Sequence, residues 1–579
     1  MRNEKIRPFT KIKASVVTSV LLLTISLIFT IGNIANAESE VRIFEAEDAI
    51  LNGLTIKNSE PGFSGTGYVG DFENSSQSVT FQIEAPKAGL YNLNIGYGAI
   101  YGSGKVANVI VNGEKLSTFT MGSGFGKASA GKVLLNSGLN TISITPNWTW
   151  FTIDYIEVIH APEPENHNVE KTLINPNATD EAKALISYLV DNFGEKILAG
   201  QHDYPNTRPR DLEYIYETTG KYPAVLGLDF IDNSPSRVER GASADETPVA
   251  IDWWNKGGIV TFTWHWNAPK DLLDEPGNEW WSGFYTRATT FDVEYALKHP
   301  KSEDYMLLIR DIDVIAGELK KLQEANVPVL WRPLHEAEGG WFWWGAKGPE
   351  STKELWRLMY DRMTNYHNLN NLIWVWNSIE EDWYPGDEYV DIVSFDSYPG
   401  EYNYSPMSRE YEALKELSSN KKLIAIAENG PIPDPDLLQL YHANYSWFAT
   451  WNGDILRNQN SEEHLRKVYN HDYVITLDKL PNLKTYREDA LIQTLSNLID
   501  ENKKNGKLTD PLLKQLNNRL WLIQDHFNKK HYKQAVQHLD KFKKSLNNKA
   551  LQNNITEDTK IELSETLDEL RILLSKRIE

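Results

Sequence analysis

The chain contains no cysteine in its 579 residues. Disulfides, thiol nucleophiles and cysteine-ligated zinc are therefore excluded, and the fold must be held by large cores or by a metal on other donors. Basic charge is also scarce: 59 Lys and Arg stand against 80 Asp and Glu, a formal net charge of −21. So acidic a surface repels nucleic-acid phosphates and suits a neutral partner instead. Past an N-terminal stretch, no segment is long and apolar enough to cross a bilayer. No G-x-G-x-x-G follows the first strand-like segment of the central region, and no H-E-x-x-H occurs, so a dinucleotide fold and a metalloprotease are unsupported.

What is present begins with Arg2, Lys5, Arg7, Lys11 and Lys13, followed by the uncharged "ASVVTSVLLLTISLIFTI" and by "ANA" at Ala35–Ala37. This basic, apolar and small-residue order is that of a secretory signal peptide over residues 1–37. An uncleaved anchor is the alternative reading; the A-x-A site and the polar "ESE" after it favour cleavage. The expectation is a secreted, extracellular chain with no membrane attachment once residues 1–37 are removed, and a mature net charge of −25.

Residues 38–160 alternate in short runs such as "SVTFQIE" and "NTISITP", separated by Gly-, Asn- and Pro-rich turns, which predicts a β-sandwich. Residues 161–170 are a polar, proline-containing linker. Over 171–486, strand-like and helix-like segments alternate, with strands expected at 196–204, 222–230, 257–266, 328–336, 371–378, 390–398, 422–430 and 445–453. Eight apolar strands with helices between them suit a (β/α)8 TIM barrel, with a doubly wound open sheet as the alternative. From 487 to 579 glycine nearly vanishes, and Leu491, Leu495, Leu498 and Ile499 mark one helical face, which predicts a small α-helical bundle.

The chemistry concentrates at the ends of the fourth and seventh expected barrel strands, where "PVLWRPLHE" closes on Glu336 and "KLIAIAENG" on Glu428. Residues at the C-terminal ends of barrel strands surround one mouth, and two carboxylates there can act on a glycosidic bond. A plain salt bridge from Glu336 to Arg332, or a helix cap by Glu428, is the structural alternative. Sixteen of the 19 Trp fall between Trp253 and Trp451, more than a core requires, which points to sugar-stacking surfaces. Trp341 and Trp343 follow Glu336, while His265, His335, Tyr398 and Trp451 are further mouth candidates. Tyr398 is placed to hold the nucleophile, Trp451 to floor the cleavage subsite, and the two histidines to bind sugar hydroxyls.

The segments "LAGQHDY", "TFTWHWN", "RPLHEAEGGWFWWG", "VSFDSYPG", "AENG" and "VYNHDYVITLDKLP" together resemble glycoside hydrolase family 26 over most of 171–486. The resemblance implies an acid/base role for Glu336, a nucleophile role for Glu428, substrate contact by His265, His335, Trp341, Tyr398 and Trp451, and no cofactor for catalysis. It implies a retaining endo-β-1,4-mannanase acting on mannan, glucomannan and galactomannan, since mannanases dominate that family. Other members act on β-1,3-xylan or mixed-linkage glucan, and "HEAEGG" departs from members with Met-Asn after the Glu, which leaves the leaving-side preference open. A non-catalytic polysaccharide-binding protein is the reading from another class.

Three further segments, "IFEAEDAILNG", "GFSGTGYVGDF" and "FTIDYIEV", resemble carbohydrate-binding module family 35. That resemblance implies a structural calcium near Glu45, Glu47 and Asp154, and sugar contact by Tyr101, Trp148 and Trp150. The tail resembles a FIMAH-type helical domain. No protein partner is inferable from the sequence.

Overall fold

The structure is a computed structural model that describes residues 41–70, 72–204 and 210–578. The signal-peptide expectation for 1–37 lies outside the described residues. Among those that are described, no helix is long and apolar enough to cross a membrane. The chain divides into two compact units: one runs to Glu165 together with Met407–Arg409, and the other takes in the remainder from Asn166.

The first unit holds strands β1 (Arg42–Glu45), β2 (Ile50–Asn52), β3 (Thr55–Lys57), β4 (Tyr68–Gly70), β5 (Ser78–Ala85), β6 (Gly89–Ala99), β7 (Lys105–Val111), β8 (Glu114–Met121), β9 (Gly124–Leu135), β10 (Gly138–Pro146) and β11 (Thr152–His160). They form two sheets, ordered β3-β4-β11-β6-β9 with β1 beside β11, and β2-β5-β10-β7-β8. Every pairing is antiparallel. In "SVTFQIEA" Val79, Phe81 and Ile83 are buried and their neighbours are not, so the period-2 pattern points one face inward. They share a core with Leu93, Ile95, Ile142, Ile153 and Ile156 of both sheets, which makes the unit a β-sandwich.

The second unit opens with α1 (Asp180–Asn192) and contains β12 (Ile197–His202), β13 (Val225–Asp229), β14 (Ile259–Thr263), β15 (Val329–Arg332), β16 (Leu372–Asn377), β17 (Ile392–Ser397), β18 (Leu423–Asn429) and β19 (Trp447–Thr450). Each lies inside one of the eight expected segments. All neighbours pair in parallel and β12 bonds to both β13 and β19, so the sheet closes on itself. A closed parallel barrel replaces the open-sheet alternative. Strands such as "LIWVWN" are buried at every position, because helices cover the outside and side chains fill the inside. Helix α2 (Glu303–Glu324) shows the covering layer: Ser302 caps the Tyr305 N–H at 3.2 Å, and Leu308, Ile312, Ile315, Leu319 and Leu322 bury one face.

Four helices follow the barrel: α3 (Tyr486–Lys504), α4 (Leu512–Asn528), α5 (Tyr532–Leu546) and α6 (Glu557–Lys576). Leu495 and Ile499 enter their common core and Leu491 and Leu498 edge it, while Ile492 completes the face. The bundle belongs to the same compact unit as the barrel. The Tyr486 ring meets Tyr188 of α1 at 5.2 Å, Arg577 pairs with buried Glu488 at 2.8 Å, and Lys576 reaches Asp180 at 2.7 Å.

Candidate active site

Glu428 is the penultimate residue of β18, and a bulge directs it. Phe395 opposes Ile426 but Asp396 opposes Glu428, so Ala427 is the extra residue. A bulge re-aims the side chain that follows it and frees a carbonyl. The Ala427 carbonyl is matched by His202 Nε2 at 3.0 Å. Arg332 donates from Nη2 to Glu428 Oε2 at 2.6 Å, and the Tyr398 hydroxyl donates to Oε1. Both oxygens of this buried carboxylate thus hold a donor, one of them cationic, which fixes its orientation.

Glu336 lies four residues beyond the end of β15, not in the strand itself. Leu334 and Glu336 both take φ 52°, left-handed conformations that cost non-glycine residues free energy. Three contacts hold the turn. The Glu336 N–H bonds Asn377 Oδ1 at 3.0 Å, the Trp344 indole N–H bonds the His335 carbonyl at 2.9 Å, and Gly345 packs so closely that a Cβ there would stand 1.9 Å from the Ala337 carbonyl. The Trp341 indole donates to Glu336 Oε2 at 3.0 Å.

One oxygen from each of Glu336, Asp396 and Glu428 lies within 4.8 Å of the other two. Arg332 stands among them as the counter-charge, 2.6 Å from both Asp396 and Glu428. Its guanidinium does not pair with Glu336, so the salt bridge offered as the alternative role for Glu336 is replaced by this one. Asn377 Nδ2 donates to Asp396 Oδ1 at 2.7 Å, linking the Glu336 turn to the trio. Burial, and then the Glu428 charge, raise the Glu336 pKa above the ordinary carboxylate value. The Trp341 bond and Arg332 pull the other way and do not cancel them. Asp396 is also raised well above its ordinary value, first by burial, with Arg332 opposing and the two glutamates adding.

A cavity of about 410 Å³ opens over these groups, lined by His202, Asp229, His265, Phe342, Tyr398 and Trp451 as well as both glutamates. The Trp451 ring meets His202 at 5.0 Å and His265 at 5.6 Å, giving the floor an apolar face. Beneath runs a polar relay. His265 Nδ1 contacts Asp229 at 2.6 Å, His265 Nε2 contacts His335 Nε2 at 3.2 Å, and His335 Nδ1 contacts Thr263 Oγ1 at 2.9 Å. The Thr263 hydroxyl donates to the Arg332 carbonyl, so it accepts from His335 Nδ1, and His335 Nε2 must accept from His265. His265 therefore carries protons on both nitrogens. Burial opposes that charge, but Asp229 outweighs it and raises the His265 pKa. Burial and the nearby Arg332 and His265 hold His335 well below its ordinary value, as the accepting neutral ring requires.

Two site expectations are corrected. His335 is fully buried and lies under His265, so it supports the cleft wall and does not reach sugar. Trp343 is 1% exposed and donates its indole N–H to the Trp266 carbonyl at 2.6 Å, so it is core. Trp341, Tyr398, Trp451 and His265 do come together around the two glutamates. Arg332, Asp396, Asn377, Asp229 and His202 were missed. The available signal was a charged or amide residue at the C-terminal end of an otherwise apolar strand.

In the sandwich, Tyr101, Trp148 and Trp150 are 67%, 63% and 52% exposed, and the Tyr101 and Trp150 rings meet edge-on at 6.1 Å. Glu45, Glu47 and Asp154 gather around the Ser64–Gly67 loop. Ser64 donates from Oγ to Glu45 at 2.7 Å and from its N–H to Asp154 at 3.0 Å. Glu47 Oε1 takes the Thr66 and Gly67 amides, while Glu47 Oε2 is buried without a partner among the described residues. Burial, opposed by Ser64 and helped by the Glu45 and Glu47 charges, raises the Asp154 pKa to about 6.

Three family models match this chain: Glycosyl hydrolase family 26 over residues 174–479, Carbohydrate binding module (family 35) over 42–161, and the FIMAH domain over 492–571. A mannan endo-1,4-beta-mannosidase of Thermothelomyces thermophilus is 49% identical over 77% of this chain and 92% of its own length. Mannan endo-1,4-beta-mannosidase B of a Piromyces species is 37% identical over 79% of this chain and 81% of its own. Among solved structures, the GH26-CBM35 beta-(1,4)-mannanase of Podospora anserina is 49% identical, covers 77% of this chain and all of its own, and superposes with a TM-score of 0.56. With that match spanning more than half of the chain, and with Glu336 and Glu428 converging in the barrel mouth, the chain belongs to glycosyl hydrolase family 26 and is a glycoside hydrolase.

Proposed function

We propose that this chain is a secreted endo-β-1,4-mannanase that hydrolyses mannan, glucomannan and galactomannan by double displacement. One observation carries the mechanism: oxygens of Glu336 and Glu428 approach within 4.8 Å. Retaining glycosidases hold their carboxyl groups ~5–5.5 Å apart, whereas inverting ones need ~6.5–9.5 Å to admit a water. Glu428, oriented by Arg332 and Tyr398, attacks the anomeric carbon. Glu336, kept protonated by burial and by the Glu428 charge, gives its proton to the leaving oxygen and later takes one from water. Water is the only co-reactant, and no cofactor enters. The mannan preference follows the relatives' names. A reducing-sugar assay on mannan, β-1,3-xylan and lichenan tests it: release from mannan supports the reading, release only from another glycan replaces the substrate, and no release from any favours a binding protein. Release of the mature chain into the medium, starting at Glu38, tests secretion.

The Trp341 indole lowers the Glu336 pKa, so removing that donor lets it rise further. Glu336 must be protonated to act as the acid. Trp341→Phe, which keeps an aromatic platform, is therefore expected to move the basic limb of the kcat/KM profile to higher pH. A limb that stays in place or moves down would show that Glu336 does not set it.

We further propose a structural calcium in the sandwich. The oxygen-only donor set and the unpartnered Glu47 Oε2 fit a hard cation. The Glu45 and Glu47 charges add to the rise in the Asp154 pKa, so the three carboxylates repel one another, and a cation there offsets that repulsion. EDTA is expected to lower the melting temperature of the sandwich and added Ca²⁺ to restore it. An unchanged melt removes calcium from the account. The exposed Tyr101, Trp148 and Trp150 are assigned to glycan contact on this module.

A further inference from the structure

The helical bundle carries a group of histidines for which the glycosidic chemistry has no use. Helix α4 ends in a Schellman turn: Lys530 takes φ 57°, the Lys530 N–H bonds the Phe527 carbonyl at 2.8 Å, and the His531 N–H bonds the His526 carbonyl at 2.8 Å. Such a turn sets its two outer residues side by side, and those positions usually hold an apolar pair. Here they hold His526 and His531, with ring centroids 6.0 Å apart. His531 also caps α5, and His538 follows it on the same face two turns later. The His538 ring stands 5.2 Å from His526.

Nδ1 of His526 and Nδ1 of His538 are both buried and have no hydrogen-bond partner among the described residues. A buried polar atom left unpaired is destabilising, so two together point to a ligand. The nearby Asp525 carboxylate does not supply one, because Lys529 holds it at 2.8 Å. Two imidazoles on one tetrahedral ion, through bonds of ~2.0–2.1 Å, have ring centres roughly 5 Å apart. The His526–His538 separation falls in that range.

We propose that His526 and His538 form the imidazole pair of a binding site for one divalent transition-metal ion of the zinc class. An all-imidazole donor set selects such ions over calcium or magnesium. The His526 and His538 rings now lie 19° from parallel, and binding turns them about their Cβ–Cγ bonds until the lone pairs converge. The ion would join the end of α4 to α5 and lock that hairpin.

Calorimetric titration of the full-length chain with ZnCl2 at neutral pH tests this, beside the His526→Ala/His538→Ala variant and the single His538→Gln variant. The expected result is one zinc equivalent that binds the parent at least 10-fold more tightly than either variant, with mannan hydrolysis unchanged in both. Equal binding by parent and variants, or no binding by the parent, overturns the proposal. X-ray absorption of the zinc-loaded parent keeps the test independent of variant folding: a nitrogen shell with imidazole scattering supports the site, and an oxygen-only shell overturns it.

Discussion

Replacing Glu428 by alanine is expected to lower turnover on mannan by at least about 10⁴-fold, or about 5.4 kcal/mol of transition-state stabilisation. The loss is large because Glu428 supplies the only route to the covalent intermediate. Glycan affinity should stay close to that of the parent, since Trp341, Tyr398 and Trp451 remain in place around the cleft. The variant also leaves a space above Arg332 where a small anion can sit. Azide added to Glu428→Ala should therefore attack an activated aryl β-mannoside from the nucleophile side and yield the α-mannosyl azide. Near-parent turnover without azide would refute the nucleophile assignment. A β-configured azide product would place the nucleophile elsewhere.

Glu336→Ala should behave differently, and the contrast is what assigns the roles. General acid catalysis is worth roughly 10²–10⁴-fold, and only where the leaving group needs a proton. Turnover of mannan should fall by about that factor. The first step on an aryl mannoside with a strongly acidic phenol should hardly change, so that the glycosyl-enzyme accumulates and the phenol appears as a burst. Equal losses on both substrates would argue against an acid role. The left-handed backbone at Leu334 and Glu336 adds a control: Glu336→Gln keeps the turn and the Trp341 contact, so its loss on mannan should match that of the alanine variant if proton transfer is what matters.

The eight barrel strands were legible in the sequence because each is an apolar run closed by a polar residue, and burial on both faces demands that pattern. The position of Glu428 was legible for the same reason: a lone carboxylate ending "LIAIAE" must be paired or solvated. Its pairing with Arg332 was not, since which inward residues of β15, β17 and β18 meet depends on barrel register and on the bulge at Ala427. A one-residue bulge leaves no mark in the composition. Trp343 and His335 misled because their neighbours Trp341 and Glu336 do face the cleft. In a turn with two left-handed residues, adjacent side chains diverge in directions that neither a helical nor a strand period describes. Strand ends were readable from hydrophobicity alone, while the loop that carries Glu336 was readable only as a set of candidates.

The most direct test of the paired-carboxylate mechanism is the anomeric configuration of the first product. Proton NMR of a manno-oligosaccharide digest, recorded before mutarotation, reads it within minutes of adding enzyme. Double displacement between carboxylates whose oxygens lie within 4.8 Å predicts that the new reducing end appears first as the β-anomer and drifts to the equilibrium mixture. Initial appearance of the α-anomer would mean a single displacement by water, and would contradict the acid/base role of Glu336 and the nucleophile role of Glu428.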